Sequence, residues 1–348
     1  MNRTAFASYA DTMIEPNIVR LNNRLNCVAF RLMKIIPAKH IIEAGIKSGR
    51  IKPTTTIIET SSGTFALGMA MVCNQLGLKS IIVSDPVIDE SLRRRLNDLG
   101  CHVDIVEKPC SVGGYQTARL NKVHEYLSGG GDYFWTQQYD NPGNPEAYES
   151  VAHQLVDALG PIDCLVGPVG SGGSMSGLLS ALSRINGRKV IGIAVDTNHS
   201  VLFGQPDGPR PLRGLGNSIM PRNLSHQLFD EVHWVDASTA FHNTRQLHHR
   251  YGVFCGPTSG AAYTVACWFS ENNPEKNVAV VFPDEGYRYL DTVYNDLWLA
   301  QCGYQTTAQS PALVSSPIEG LEHDWSRMNW NHASIDMVQT ACCRKEGG

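Results

Sequence analysis

The feature that most constrains this chain is a set of short apolar runs, several of them ending in a turn of glycine and hydroxyl residues. "TTTIIET", "KSIIVSD", "CLVGPV", "KVIGIAV" and "VAVVFPD" read as strands, and "HVDIVE" as a further one. Continuous apolar strands of this kind belong to parallel sheets covered on both faces. Helical runs alternate with them, such as "GTFALGMAMVCNQLG" and "DESLRRRLNDLG". This alternation predicts an α/β fold with mainly parallel sheets. At 348 residues the chain is long enough for two domains.

Two clusters of turn residues break the alternation. "SGGGDYFWTQQYDNPGNP" at 128–145 reads as a domain crossing. "GQPDGPRPLRGLGNSIMPRN" at 204–223 is a long irregular segment of the kind that covers a site. The expected division is a smaller N-terminal α/β domain at 30–145, a larger one formed by 1–29 with 146–305, and an irregular tail at 306–348.

Charge and cysteine usage narrow the partners. The chain has 29 basic and 33 acidic side chains and a net charge of -4. Its one basic cluster, Arg93 to Arg95, is short and lies in a helical pattern, which argues against nucleic acid. No apolar run approaches a membrane span, and the first residues lack the apolar core of a signal peptide, so a cytoplasmic protein is expected. The ten cysteines are scattered with no CxxC pair. They read as reduced thiols, with no metal site.

Ligands bind open α/β sheets at the carboxyl ends of the strands, and the turns there carry the candidate residues. In "ETSSGTFALG", Ser61, Ser62, Gly63 and Thr64 open a helix whose first N–H groups could hold an anion. An ordinary cap by Ser61 or Ser62 is the plain alternative. In "GPVGSGGSMSG", Gly170, Ser171, Gly172, Gly173 and Ser174 could form a nest for a small phosphate monoester. No Gly-Lys-Ser/Thr follows, so this is not a P-loop; a tight turn serves the residues equally well. "CGPTSGAAYTVACW" opens another helix with Thr258, Ser259 and a glycine. Asp284 and Glu285 in "VVFPDEGYRYLDTVY" are acid/base groups or turn residues. Lys34 sits in the apolar "FRLMKIIPAKHII". A desolvated lysine has a lowered pKa and can bond a carbonyl covalently, although many such lysines reach back to the surface.

Taken in order from about residue 14 to residue 300, these segments resemble the fold type II pyridoxal-phosphate enzymes, the cysteine synthase and cystathionine β-synthase group. The resemblance implies a tryptophan synthase β-like fold, with two three-layer αβα domains, usually as a homodimer. It implies pyridoxal 5'-phosphate as cofactor and Lys34, in "KIIPAKHIIEAGIKSG", as the lysine that bonds it. "ETSSGTFALGMA" resembles the loop for the substrate carboxylate, which implies that role for Ser61, Ser62 and Gly63. "GSGGS" resembles the cofactor-phosphate loop, and "GPTSGAA" the loop whose hydroxyl, here that of Thr258, meets the pyridine nitrogen. Thr64 stands where the family's asparagine meets the phenolic oxygen. The approach to Lys34 is shorter than usual, and Ile35 and Ile36 replace the family's Asp-Arg.

"GGYQTARLNKVHEYL" and "WTQQYDNP" resemble the branch of this group that joins O-phosphoserine to glutamate, and they assign Arg119 and Tyr139 to substrate recognition. The implied reaction is β-replacement on O-phospho-L-serine with L-glutamate as nucleophile. Its product, N-(2-amino-2-carboxyethyl)-L-glutamate, is a precursor of 2,3-diaminopropionate in siderophore or secondary-metabolite biosynthesis. The alternatives are a cysteine or cystathionine synthase using a sulfur nucleophile, a cofactor-binding pseudoenzyme, and, third, a nucleotide-binding oxidoreductase.

Overall fold

A computed structural model describes residues 5–111, 113–212, 214–304 and 308–337. The chain forms two compact units, Met1–Pro16 with Phe30–Ala147, and Asn17–Ala29 with Tyr148–Gly348. Residues 5–16 therefore belong with the N-terminal unit, whereas the sequence reading puts all of 1–29 with the larger one. Two short strands, β1 (Asn17–Arg20) and β2 (Leu25–Ala29), pair antiparallel and belong to the second unit.

In the first unit, α1 (Ile35–Lys47) leads to β3 (Thr56–Thr60), α2 (Thr64–Gln75), β4 (Ser80–Ser84), α3 (Glu90–Asp98), β5 (Cys101–Ile105), α4 (Gly114–Ser128), β6 (Tyr133–Trp135) and the short α5 (Gly143–Glu146). The strands form one parallel sheet in the order β5-β4-β3-β6. Ile57, Ile58, Ile82 and Val83 are buried in it, as the unbroken apolar runs require. β6 lies inside the turn-rich stretch at 128–145, where "YFW" supplies enough apolar surface for one edge strand. Helix α3 shows how sequence sets burial. Asp89 caps it through Leu92 N–H at 2.7 Å, Leu92 and Leu96 face inward, and Arg93 and Arg94 lie outside with Glu90.

The second unit continues with α6 (Glu149–Leu159), β7 (Cys164–Pro168), α7 (Gly173–Asn186), β8 (Ile191–Asp196), β9 (Glu231–Val235), α8 (Ala237–Tyr251), α9 (Pro257–Asn272), β10 (Val278–Phe282), α10 (Asp296–Gln301), β11 (Ala312–Leu313) and β12 (Trp325–Asn329). Its eight strands run in the order β1-β2-β10-β7-β8-β9-β12-β11. The stretch from β2 to β9 is parallel throughout. Segment 204–223 forms neither helix nor strand among its described residues.

The expected irregular tail is corrected here. β12 pairs antiparallel with β9 and extends the sheet, and β11 pairs with β12. Trp325 and Trp330 are almost fully buried and anchor the segment. Two isolated tryptophans in a polar background supply the burial that a continuous apolar run would otherwise announce. Among the described residues no helix is long and apolar enough to cross a membrane.

Candidate active site

The sequence-predicted residues divide between the units. Lys34, Ser61, Ser62, Gly63, Thr64, Arg119 and Tyr139 lie in the first, and Gly170, Ser171, Gly172, Gly173, Ser174 and Thr258 in the second.

In the first unit, Lys34 is the N-cap residue of α1. Leu32, Met33, Ile35 and Ile36 around it are buried, and desolvation pulls its ammonium down from 10.5 to about 8. Gly68 of α2 lies against the same backbone. A Cβ there would come within 2.9 Å of Ile35 Cα, so only glycine lets α2 pack this closely on the start of α1. The loop before α2 is fixed by Ser61 N–H donating to Val83 O (3.2 Å) and Gly63 N–H to Ser61 Oγ (3.2 Å). No side chain caps α2 itself. That removes the plain alternative of an ordinary Ser61 or Ser62 cap and leaves the N-terminal amides as donors for an anion.

Arg119 is no solvated helix residue. It is 7% exposed, and its Nη1 lies 3.1 Å from Asp85 Oδ2. Its Nε has no hydrogen-bond partner among the described residues. Burial raises the pKa of the Tyr139 phenol, the Arg119 charge pulls it the other way, and Gln116 hydrogen-bonds it. Glu59, whose charge also acts on Tyr139, is fully buried at the end of β3. Its carboxylate accepts from Thr60 N–H (2.7 Å), Trp135 Nε1 (3.0 Å), Thr136 Oγ1 (2.6 Å) and Gln138 N–H (2.8 Å). Desolvation pushes its pKa up in spite of these bonds. Asp85, Glu59 and Gln116 are the residues sequence reasoning passed over. Asp85 and Glu59 carry one signal, an acid at the end of an apolar strand, and Gln116 in α4 carries none.

In the second unit, β7 runs into Val169–Gly172 and then α7. Gly172 has φ +79, and a Cβ on it would lie 2.6 Å from Leu224 Cα. The loop is braced from one side: Gly216 N–H donates to Val169 O (2.9 Å) and Asn217 Nδ2 to Gly170 O (3.2 Å). Ser171 and Ser174 are buried, and no side chain caps α7. Thr258 opens α9 close to Gly214. It is 4% exposed, and its Oγ1 has no partner among the described residues. Nearby, Asp284 takes a hydrogen bond from Tyr289 OH (2.9 Å), and burial lifts its pKa to about 6. It abuts Gly256 rather than standing open as an acid or base.

These features suit a cofactor with a phosphate and a ring nitrogen. The uncapped α7 and the left-handed Gly172 leave backbone amides of the kind that bind a phosphate. The orphaned Thr258 hydroxyl is a buried donor that lacks an acceptor.

The family model described as "Pyridoxal-phosphate dependent enzyme" matches residues 30–284. An N-(2-amino-2-carboxyethyl)-L-glutamate synthase from Cupriavidus metallidurans is 37% identical over 272 residues, 76% of this chain and 79% of that one. The enzyme of the same name from Ralstonia nicotianae is also 37% identical, over 81% of this chain and 86% of its own. Among solved structures, the O-acetylserine dependent cystathionine beta-synthase from Helicobacter pylori superposes with a TM-score of 0.77 at 26% identity, covering 84% of this chain and all of that one.

Proposed function

The chain belongs to the pyridoxal-phosphate-dependent enzymes and catalyses β-replacement, and from that premise we propose that it joins O-phospho-L-serine to L-glutamate. The observation that carries this reading is the buried Arg119 beside Tyr139, with an unpartnered Nε, in a chain 37% identical to synthases of that name.

Bound pyridoxal phosphate supplies the electron sink for the carbanion at the substrate's α-carbon. The chain's own residues do the rest. Lys34 would hold the cofactor, and its amine would move the substrate's α-proton. Desolvation leaves its amine with a pKa of about 8, near the range in which a base works at neutral pH. The amides of α2 with Ser61, Ser62 and Thr64 hold the substrate carboxylate. Gly170 to Ser174 would hold the cofactor phosphate, and the Thr258 hydroxyl would face the ring nitrogen. A neutral hydroxyl there does not enforce a protonated ring, which favours prompt loss of the β-substituent over ring-centred chemistry. Arg119 and Tyr139 hold the phosphate ester through a charged fork and a directed hydroxyl.

The net exchange is a C–O bond for a C–N bond at the β-carbon. Phosphate departs with the C–O pair, and glutamate's amine donates the new pair and loses a proton. The same reading carries a homodimer, cytoplasmic location and supply of 2,3-diaminopropionate for siderophore or other secondary metabolism.

The test offers the holoenzyme O-phosphoserine with glutamate, sulfide or homocysteine, measuring phosphate release and product mass. Glutamate-dependent formation of N-(2-amino-2-carboxyethyl)-L-glutamate supports the reading. A product only with sulfide or homocysteine assigns the chain to cysteine or cystathionine synthesis instead, and no phosphate release with any nucleophile overturns the choice of substrate.

A further inference from the structure

Asp85 is held on both oxygens. Oδ1 accepts Val87 N–H at 3.0 Å, a turn made by its own backbone, and Oδ2 lies 3.1 Å from Arg119 Nη1. Both side chains are almost wholly buried, at 5% and 7% exposure. The carboxylate is therefore a fixed point, and it fixes the rotation of the guanidinium plane. One nitrogen, Nη1, is consumed. Nε is buried and has no acceptor among the described residues. A buried charged donor without an acceptor is costly and rare. A purely structural ion pair leaves that Nε unexplained, whereas an oxyanion bound at this edge would satisfy it. Tyr139, on which the Arg119 charge acts, and Gln116, which hydrogen-bonds Tyr139, complete one polar cluster within the first unit.

We propose that Asp85 is a positioning residue, clamping Arg119 so that its Nε edge is presented to the phosphate ester of the amino-acid substrate. This rests on the assignment of Arg119 to substrate recognition. Asp85 touches no substrate in the proposal. It acts through Arg119, and its carboxylate keeps the guanidinium buried and oriented before the anion arrives.

The experiment titrates wild-type, D85A, D85N and R119A holoenzymes with O-phospho-L-serine and, separately, with L-serine, which lacks the phosphate. Binding is followed by the shift of the cofactor's visible band. D85A is expected to weaken O-phosphoserine by about tenfold or more, as loss of one member of a buried charge pair does. L-Serine should move by less than about threefold, and D85N should fall between D85A and wild type for O-phosphoserine, because its one amide oxygen still accepts from Nη1 while its nitrogen then faces Val87 N–H. Should D85A fail to fold, D85E, which displaces the acceptor by one methylene, carries the same expectation. Equal weakening of both ligands, or of neither, overturns the proposal. If R119A leaves the preference for O-phosphoserine intact, the underlying reading of Arg119 fails. If R119A abolishes the preference while D85A keeps it, that reading stands and the role of Asp85 falls.

Discussion

Substituting Gly172 with alanine should cost this protein its cofactor before it costs its fold. Gly172 sits at φ +79, where an L-residue is strained by about 1–2 kcal/mol. Its new Cβ would also meet Leu224 Cα, Cβ and N at 2.6, 2.7 and 2.7 Å. Two of those atoms are backbone, so relief requires the 221–224 turn to move; crowding of this kind costs about 1–3 kcal/mol more. Leu224 N–H is bonded to Pro221 O, and Ser225 N–H to Ser176 Oγ in α7, so the displacement spreads into the loop proposed to hold the phosphate. A total of about 2–5 kcal/mol falls on that loop. If half or more of it is felt by the bound state, cofactor affinity drops by about fivefold or more. The assay is titration of the apoenzyme with pyridoxal phosphate, followed by absorbance, with thermal melts of both forms. Gly187→Ala at the far end of α7 is the control. It has φ +63 but nothing within 4 Å, so it carries strain without crowding and should leave cofactor affinity unchanged. A G172A protein that binds cofactor within about threefold of wild type refutes the reasoning.

Three further outcomes follow from the same geometry. Glu59→Gln places an amide nitrogen where a carboxylate oxygen receives backbone N–H, so it should lose about 2–4 kcal/mol in urea unfolding and weaken substrate binding through the displaced Tyr139 loop. Asp284 keeps its proton in the folded state up to about pH 6, while the unfolded chain releases it near 3.8, so wild type loses stability as pH rises through that window. D284N lacks this titration, and its unfolding free energy relative to wild type should improve by up to about 3 kcal/mol between pH 4 and pH 7. Because desolvation brings Lys34 down to about 8, apoenzyme should take up cofactor faster as pH rises through that value, the neutral amine being the nucleophile; stopped-flow absorbance measures it.

Much of the fold was legible because the parallel strands are unbroken apolar runs, and β3, β4, β7, β8 and β10 all coincide with such runs. The strands that escaped are of another kind. β1 and β2 are short and carry Asn17, Arg20 and Asn26, and β12 runs from buried Trp325 and Ser326 out to exposed Asn329 at an antiparallel pairing, with no continuous apolar run. The candidate loops announced themselves because glycine is needed where backbone must turn left-handed or pack closely, as at Gly172 and Gly68. Glu59 and Asp85 did not. An acid at the end of a strand reads as a turn residue until its partner is in place, and the partner of Glu59 at Thr136 lies 77 residues away.

The central claim is that Lys34, held at the start of α1 in a desolvated setting, carries the cofactor of a β-replacement enzyme. Borohydride reduction of the holoenzyme, followed by digestion and mass spectrometry, tests it most directly. The account predicts a reduced pyridoxal adduct on the peptide containing Lys34, and none in the Lys34→Ala protein. An adduct on any other lysine, or a visible cofactor band that survives Lys34→Ala, would contradict it.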